Sequence, residues 1–169
     1  MEPKGHERPL LELPTTKSEL VLELLSLIPM ILTFSTICTS WATLPQVIAT
    51  HFDISGQPNG WSNKDALWKI AGFEIFTFVA ISIMCRFPHT YNYMWPITES
   101  NARGQYMLAR KFLRLLKFES LSILFLITWT VIQVANSNSK SADITRLILA
   151  TAVMLISCAI YMKLAFNRR

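Results

Sequence analysis

The sequence has little charge and lacks the short motifs that mark many enzyme classes. Charged residues make up only 16% of its 169 residues, well below the roughly one quarter found in an ordinary soluble domain. It contains no H-E-x-x-H zinc motif, no G-x-S-x-G nucleophile motif and no Gly-rich phosphate-binding loop. We therefore expect a protein that is not an enzyme, with no catalytic residue and no cofactor.

Cysteine is also scarce, with three residues at Cys38, Cys85 and Cys158. Each lies in or at the end of an apolar run, and no C-x-x-C or paired Cys/His spacing occurs. A disulfide framework and a zinc site are therefore not indicated. We expect the three thiols to pack as small buried side chains, and we predict no metal site.

Hydrophobic residues are what the sequence has in excess. They make up 51% of the chain and are concentrated in four runs. A helix of about 20 residues spans the roughly 30 Å hydrocarbon core of a bilayer, so the sequence predicts an all-α integral membrane bundle. The four predicted transmembrane helices cover about 20–40, 65–85, 119–136 and 144–166.

The polar N-terminal segment precedes this bundle. Residues 1–17 are predicted to form a cytoplasmic tail and 18–169 a single four-helix domain. The first 17 residues make a poor cleavable signal peptide. Thr16 and Glu19 have the spacing of a capping box, which predicts that the first helix begins near this point. Pro29 lies inside that helix and predicts a kink.

The distribution of Lys and Arg predicts the orientation. Twelve of the 16 basic residues fall in the tail, the connection between the second and third spans, and the C-terminal end. The positive-inside rule then places these three segments and both termini in the cytoplasm. We expect a multi-pass protein of the inner (plasma) membrane, with the loop between the first two spans facing outward.

That loop, 44–64, is rich in residues with special backbone preferences. Pro45, Gly56, Pro58 and Gly60 are expected to shape it, with Asn59-Gly60 predicted as a tight turn. Trp41 and Trp61 bracket the loop, as amphipathic rings do at a membrane interface, and Ser62 is expected to cap the second helix. The composition indicates an ordered extracytoplasmic loop.

The same loop carries a family resemblance. Leu44–Lys64 reads L-P-x-x-I-x-x-H-F-D-x-x-G-x-P-N-G-W-x-x-K, which resembles the signature of a bacterial membrane family of unknown function. That domain also forms the N-terminal part of the SdpI-type immunity proteins of the sporulation-delaying toxin system. A second block, from Tyr91 to Arg110, resembles the cytoplasmic segment of small members. The resemblance implies a secreted, membrane-active peptide toxin as ligand.

Glu74 is the only charged residue between Ile70 and Cys85 in the second span. A carboxylate at membrane depth is costly and indicates a functional site by default. Lys69 lies five positions earlier on a different helix face, so Glu74 requires a partner from another helix or the loop, or a bound proton. The alternative is a purely structural hydrogen bond with Thr77 or with a neighbouring helix.

A basic stripe precedes the third span. Its residues recur at helical spacing beside an apolar stripe, which is typical of a cytoplasmic amphipathic helix on a membrane surface. Anionic lipid is the expected partner, and nucleic acid is not indicated, because a membrane surface accounts for both stripes. The predicted membrane-surface residues are Arg103, Arg110, Arg114 and Lys117.

Three functional hypotheses follow. The preferred one is a non-catalytic binding protein or an immunity or stress protein, whose outward loop engages a membrane-active peptide, an envelope component or another membrane protein. The alternatives are a small transporter or transport subunit that uses Glu74 and a membrane metalloenzyme that uses His51 and Asp53; a homo-oligomer is left open. The predicted ligand-binding residues are His51, Phe52, Asp53, Asn59, Trp61 and Glu74.

Overall fold

The structure is a computed structural model that describes residues 8–137 and 141–168. These residues form a helical bundle with one two-stranded sheet. A single 3-10 turn, Pro88–Thr90, lies in the connection before the fourth helix. The elements are α1 (Lys17–Leu25), α2 (Leu27–Ser40), β1 (Val47–Phe52), β2 (Pro58–Asn63), α3 (Ala66–Met84), α4 (Ala102–Ser137) and α5 (Thr145–Phe166).

Four helical stretches are long and apolar enough to cross a bilayer, which confirms the predicted four spans. They are Lys17–Ser40, α3, α4 and α5. The chain is therefore a multi-pass membrane protein. The third span is longer than the predicted 119–136, because α4 runs without a break through 36 residues, or about 54 Å at 1.5 Å per residue. Its first half is the segment that was expected to form the basic amphipathic helix on the membrane surface.

The first span is divided where the sequence predicts a kink. α1 ends before Ser26 and α2 begins at Leu27. Pro29 has no backbone N–H and cannot donate to the carbonyl one turn earlier, which accounts for the break. The capping box is confirmed, since the Glu19 N–H donates to the Thr16 hydroxyl and the Thr16 N–H donates to the Glu19 carboxylate at 2.7 Å.

The loop between the first two spans contains an antiparallel hairpin that the sequence interpretation missed. β1 pairs with β2 from Val47 opposite Asn63 to Phe52 opposite Pro58, with irregular register around His51. The predicted Asn59-Gly60 turn is wrong, because both residues lie in β2. Ser62 also lies in β2 and does not cap a helix.

α4 is the centre of the bundle and packs against α1, α2, α3 and α5. Near its C-terminal end an apolar cluster joins α2, α3, α4 and β1, so that the hairpin rests on the bundle. Burial of such side chains favours packing by about 25 cal/mol per Å² removed from water, and in a bilayer close packing takes over that role. The buried members are Ile37, Leu44, Ile48, Leu67, Ala71, Val131 and Ile132.

The prediction of a membrane-surface stripe is wrong for Arg110, Arg114 and Lys117. Lys117 is 0% exposed and Arg110 is buried, because α1 covers this face of α4. Their charges are matched by two carboxylates from α1, Glu19 and Glu23. Only Arg103 is exposed, and its assignment to the membrane surface remains a prediction.

Candidate functional site

The hairpin is held on the bundle at three points. Ile48 of β1 is buried in the apolar cluster beneath it. Lys64 follows β2, donates from Nζ to the Trp41 carbonyl at 3.0 Å and lies 4.5 Å from the centre of the Trp41 ring. At the tip, the Ala142 N–H donates to the Gly56 carbonyl at 2.8 Å. The hairpin therefore has a defined position over the start of α5.

Gly56 occupies a backbone conformation that favours glycine. Its φ is +80°, and a Cβ at this position would lie 2.2 Å from the Ala142 carbonyl oxygen. Both the left-handed φ and the close approach of the two backbones require the absence of a side chain. Gly56 thus holds the tip of the hairpin against the segment before α5.

The other loop residues have simpler structural positions. Pro58 is the first residue of β2, where a missing N–H is tolerated. A Cβ on Gly60 would lie 2.8 Å from the His51 Cβ across the hairpin. Pro45 is exposed just before β1. The structural role expected for these three residues remains a prediction.

Asp53 organises the turn of the hairpin. Its Oδ1 accepts from the Ser55 hydroxyl at 2.7 Å and from the backbone N–H groups of Ser55 and Gln57 at 2.9 Å each. The Ser55 hydroxyl bond, followed by the Gln57 amide bond, lowers the pKa of Asp53. Because the side chain is also exposed, it presents a fixed negative charge at neutral pH.

His51 and Asn59 face each other across the two strands. The His51 Nδ1 lies 3.0 Å from the Asn59 Oδ1, so that with its proton on Nδ1 the imidazole donates to the amide carbonyl. Both side chains are exposed. Trp61 lies opposite Ala49 in the ladder and its side chain is also exposed.

A largely apolar groove of about 600 Å³ opens beside the hairpin. One rim is the hairpin segment 50–54, which includes His51, Phe52 and Asp53. The floor comes from α4 through Ile127, Thr130 and Val131, and the far wall comes from the residues at and after the start of α5. That wall consists of Ile144, Leu147, Ile148, Thr151, Ala152 and Leu155.

The structure brings together only part of the predicted site. The groove is lined by His51, Phe52 and Asp53. Asn59 does not line the groove but is hydrogen-bonded to His51, and Trp61 is not among the lining residues. Glu74 lies apart, because it follows Ala71 of the apolar cluster by one helical turn on the side away from the hairpin. The apolar cluster separates Glu74 from the loop residues.

The lining of the groove is mostly apolar, with its charged group on the hairpin rim. Within residues 8–137 and 141–168, no group of three or more His, Cys, Asp or Glu side chains is placed to hold a metal ion. His51 is paired with Asn59, and Asp53 is occupied by three hydrogen bonds within its own turn. The site offers an apolar trough with one anionic and one imidazole group on its rim.

Sequence reasoning missed the α4 and α5 walls of this groove. Residues such as Ile127, Thr130 and Thr151 belong to apolar spans and carry no local signal that separates a groove from a lipid-facing surface. The hairpin rim meets the α5 wall through the bond between Gly56 and Ala142, which are 86 positions apart in the sequence. Gly56 was expected to shape the loop, but the sequence carries no signal of its contact with Ala142.

Comparison with known families gives one match. Residues 28–81 match a family described as Domain of unknown function (DUF1648). The matched segment covers about a third of the chain and runs from α2 through the hairpin into α3. Comparisons with curated proteins and with solved structures gave no significant match. The segment similar to this domain therefore includes the hairpin rim, and α4 and α5 lie outside it.

Proposed function

We propose that this chain is a non-catalytic membrane protein that binds an amphipathic, membrane-active peptide in the groove between the hairpin and α5. The single observation that supports this proposal is the rigid polar hairpin rim beside an apolar trough that opens on the membrane-spanning helices. A ligand that is already in the outer leaflet can enter such a groove sideways. The orientation follows from the distribution of basic residues, which predicts that the hairpin faces outward.

The dimensions of the groove suit a helical peptide. Its α5 wall extends from Ile144 to Leu155, which is about 17 Å along a helix and equals about three helical turns. The wall side chains Ile148 and Leu155 are exposed in this chain and available for side-chain packing. An amphipathic helix that lays its apolar face in a groove is a common form of peptide recognition.

The charge on the rim suits a peptide with a cationic end. Asp53 is exposed and ionised at neutral pH because its pKa is lowered by the bonds from Ser55 and Gln57. A Lys, an Arg or a free amino terminus placed beside it gains a favourable electrostatic contact. The family resemblance implies the same ligand class, a secreted peptide toxin.

The test uses the peptide toxin of the sporulation-delaying system as the probe. Sensitive bacteria that express the native chain are expected to survive exposure to the peptide, and the purified chain in lipid nanodiscs is expected to bind labelled peptide. Thr151→Trp should fill the groove and weaken binding by at least tenfold. This corresponds to a loss of roughly 1.4 kcal/mol in the free energy of binding. Asp53→Asn keeps an acceptor for the turn, removes the charge, and should weaken binding less.

Val153→Trp is the matched control. Val153 is exposed on α5 but does not line the groove, so this variant adds the same bulk to the same helix and should bind as the native chain does. Equal binding by the Thr151 and Val153 variants would exclude the groove as the site. Absence of both protection and binding by the native chain would remove the peptide assignment.

A further inference from the structure

A second site lies inside the bundle at Glu74. The carboxyl group is 0% exposed, and its Oε1 accepts from the Thr33 hydroxyl of α2 at 2.8 Å. Its Oε2 has no hydrogen-bond partner among the residues that the structure describes. The hydroxyl of Thr128 on α4 is likewise fully buried and without a partner in that part of the chain. A buried polar atom without a partner is uncommon and requires an explanation.

The three side chains lie at one level of the bundle. Ile37, Ala71 and Val131 pack together in the apolar cluster under the hairpin. Thr33, Glu74 and Thr128 each lie one helical turn from these residues, on the same faces of α2, α3 and α4 and away from the hairpin. The Thr33–Glu74 bond fixes two of the three at the same depth. Thr128 therefore faces the same interior space from α4.

No cation compensates Glu74 in the described part of the chain. α2 and α4 pack against α3, and Glu23 of α1 accepts from Ser82 near the C-terminal end of α3. On α3 itself, Lys69 is five positions away and exposed. On α4, Lys117 lies 11 positions before Thr128 and is paired with Glu23 of α1. Glu23 in turn lies ten positions before Thr33, so this ion pair is at a different level of the bundle from Glu74. An ionised carboxylate in this environment would have one hydrogen bond and no counter-ion, which is very unfavourable inside a membrane.

We propose that Glu74 is a proton-binding site between α2, α3 and α4, in which a proton on Oε2 keeps the carboxyl group neutral. The proton removes a buried charge that no cation in the described residues compensates, while Thr33 still donates to Oε1. Loss of the proton would leave this charge among the three packed helices and weaken their association. This inference is independent of ligand binding in the groove.

Infrared spectroscopy of the purified full chain in lipid tests the site. At neutral pH the native protein is expected to show the C=O stretch of a protonated carboxyl group that is sensitive to deuterium exchange. Glu74→Gln should remove this band and still fold normally, because the neutral amide still accepts from Thr33 through its carbonyl oxygen. Glu119→Gln is the matched control, since Glu119 is a second buried carboxyl on α4 that accepts from Ser157, and it should leave the Glu74 band in place.

A second variant keeps the test decisive if Glu74→Gln does not fold. Thr33→Val preserves the shape of the side chain and removes the donor to Oε1, so the Glu74 band should move to higher frequency. An unmoved band in this variant, or identical spectra for the native and Glu74→Gln proteins, would overturn the proposal. A rise in unfolding temperature that requires sodium and disappears in Glu74→Gln would also overturn it, because the buried ligand would then be a metal cation.

Discussion

At the α1 end of the bundle five charged side chains lie inside or at the edge of the protein, whereas the hairpin end packs an apolar cluster and keeps its charges on the surface. Glu19 illustrates the first end. Its carboxylate accepts from the Arg110 Nε at 2.6 Å and from the Arg110 Nη2 at 3.0 Å, and Arg114 donates to it as well. Asp53 at the other end bonds only within its own turn.

The α1 end continues one turn deeper into the bundle. The Lys117 Nζ lies 2.6 Å from the Glu23 carboxylate, donates to the Ser82 hydroxyl at 2.9 Å and lies 4.2 Å from the centre of the Phe78 ring. Arg110 also donates to two backbone carbonyls of the segment that precedes α1. Three cations and two carboxylates thus connect α1, α3 and α4.

The comparison shows two different ways of joining an element to a membrane bundle. The α1 end depends on pairs of charges far apart in the sequence, so removal of one charge leaves another buried without compensation. The hairpin end depends on backbone geometry and apolar packing, so it should tolerate a change of charge and respond to a change of backbone freedom. Three substitutions test this contrast.

The largest effect is expected for Glu19→Ala. It leaves Arg110 and Arg114 without their shared carboxylate and removes the acceptor in the capping box, so we expect a loss of about 3–5 kcal/mol in the free energy of unfolding. Thermal and denaturant unfolding of the purified chain in detergent measures this loss. Glu12→Gln is the control, because Glu12 is an exposed carboxylate just before α1, and its replacement should stay within about 0.5 kcal/mol. Equal losses for the two variants would contradict the buried network.

The same contrast explains what the sequence could predict. Four spans and the Thr16–Glu19 capping box follow from local composition and spacing, and the structure confirms them. The pairing of Glu19 with Arg110 joins residues 91 positions apart, and no local pattern encodes it. A basic stripe beside an apolar stripe is compatible both with a lipid surface and with a helix that covers the stripe with carboxylates.

The candidate site was predictable to a smaller extent. The motif drew attention to His51, Phe52 and Asp53, which do line the groove. The hairpin itself was missed because glycine and proline in a short segment indicate turns, and here Pro58 and Gly60 lie in a strand with irregular register. Strand pairing depends on cross-strand contacts more than on residue preference.

An intermediate effect is expected for Gly56→Ala, which tests the backbone contact of the hairpin end. The added Cβ would meet the Ala142 carbonyl and the φ of +80° would become strained, so we expect a loss of about 1–3 kcal/mol. Gly72→Ala is the matched control on α3. A Cβ there has no neighbour within 4 Å, so this variant should gain about 0.5–1 kcal/mol from its higher helix propensity. A stabilising Gly56→Ala would show that the hairpin is not fixed to the segment before α5.

The smallest effect is expected for the charge of Asp53 and should appear only as a dependence on pH. Its pKa in the folded protein is lowered by the Ser55 hydroxyl and by the amides of Gln57 and Ser55. A carboxyl group with a lowered folded pKa contributes stability above its unfolded pKa and loses that contribution as the pH falls through the folded pKa. The unfolding temperature of the native chain should therefore exceed that of Asp53→Asn at neutral pH, and the two should converge in acid.

Ser55→Ala should reduce this pH dependence without abolishing it, because the two backbone amides still donate to the carboxylate. A difference between the native and Asp53→Asn chains that stays constant down to acid pH would mean that the charge of Asp53 does not stabilise the turn, and the hairpin end would then depend on packing and backbone contacts alone.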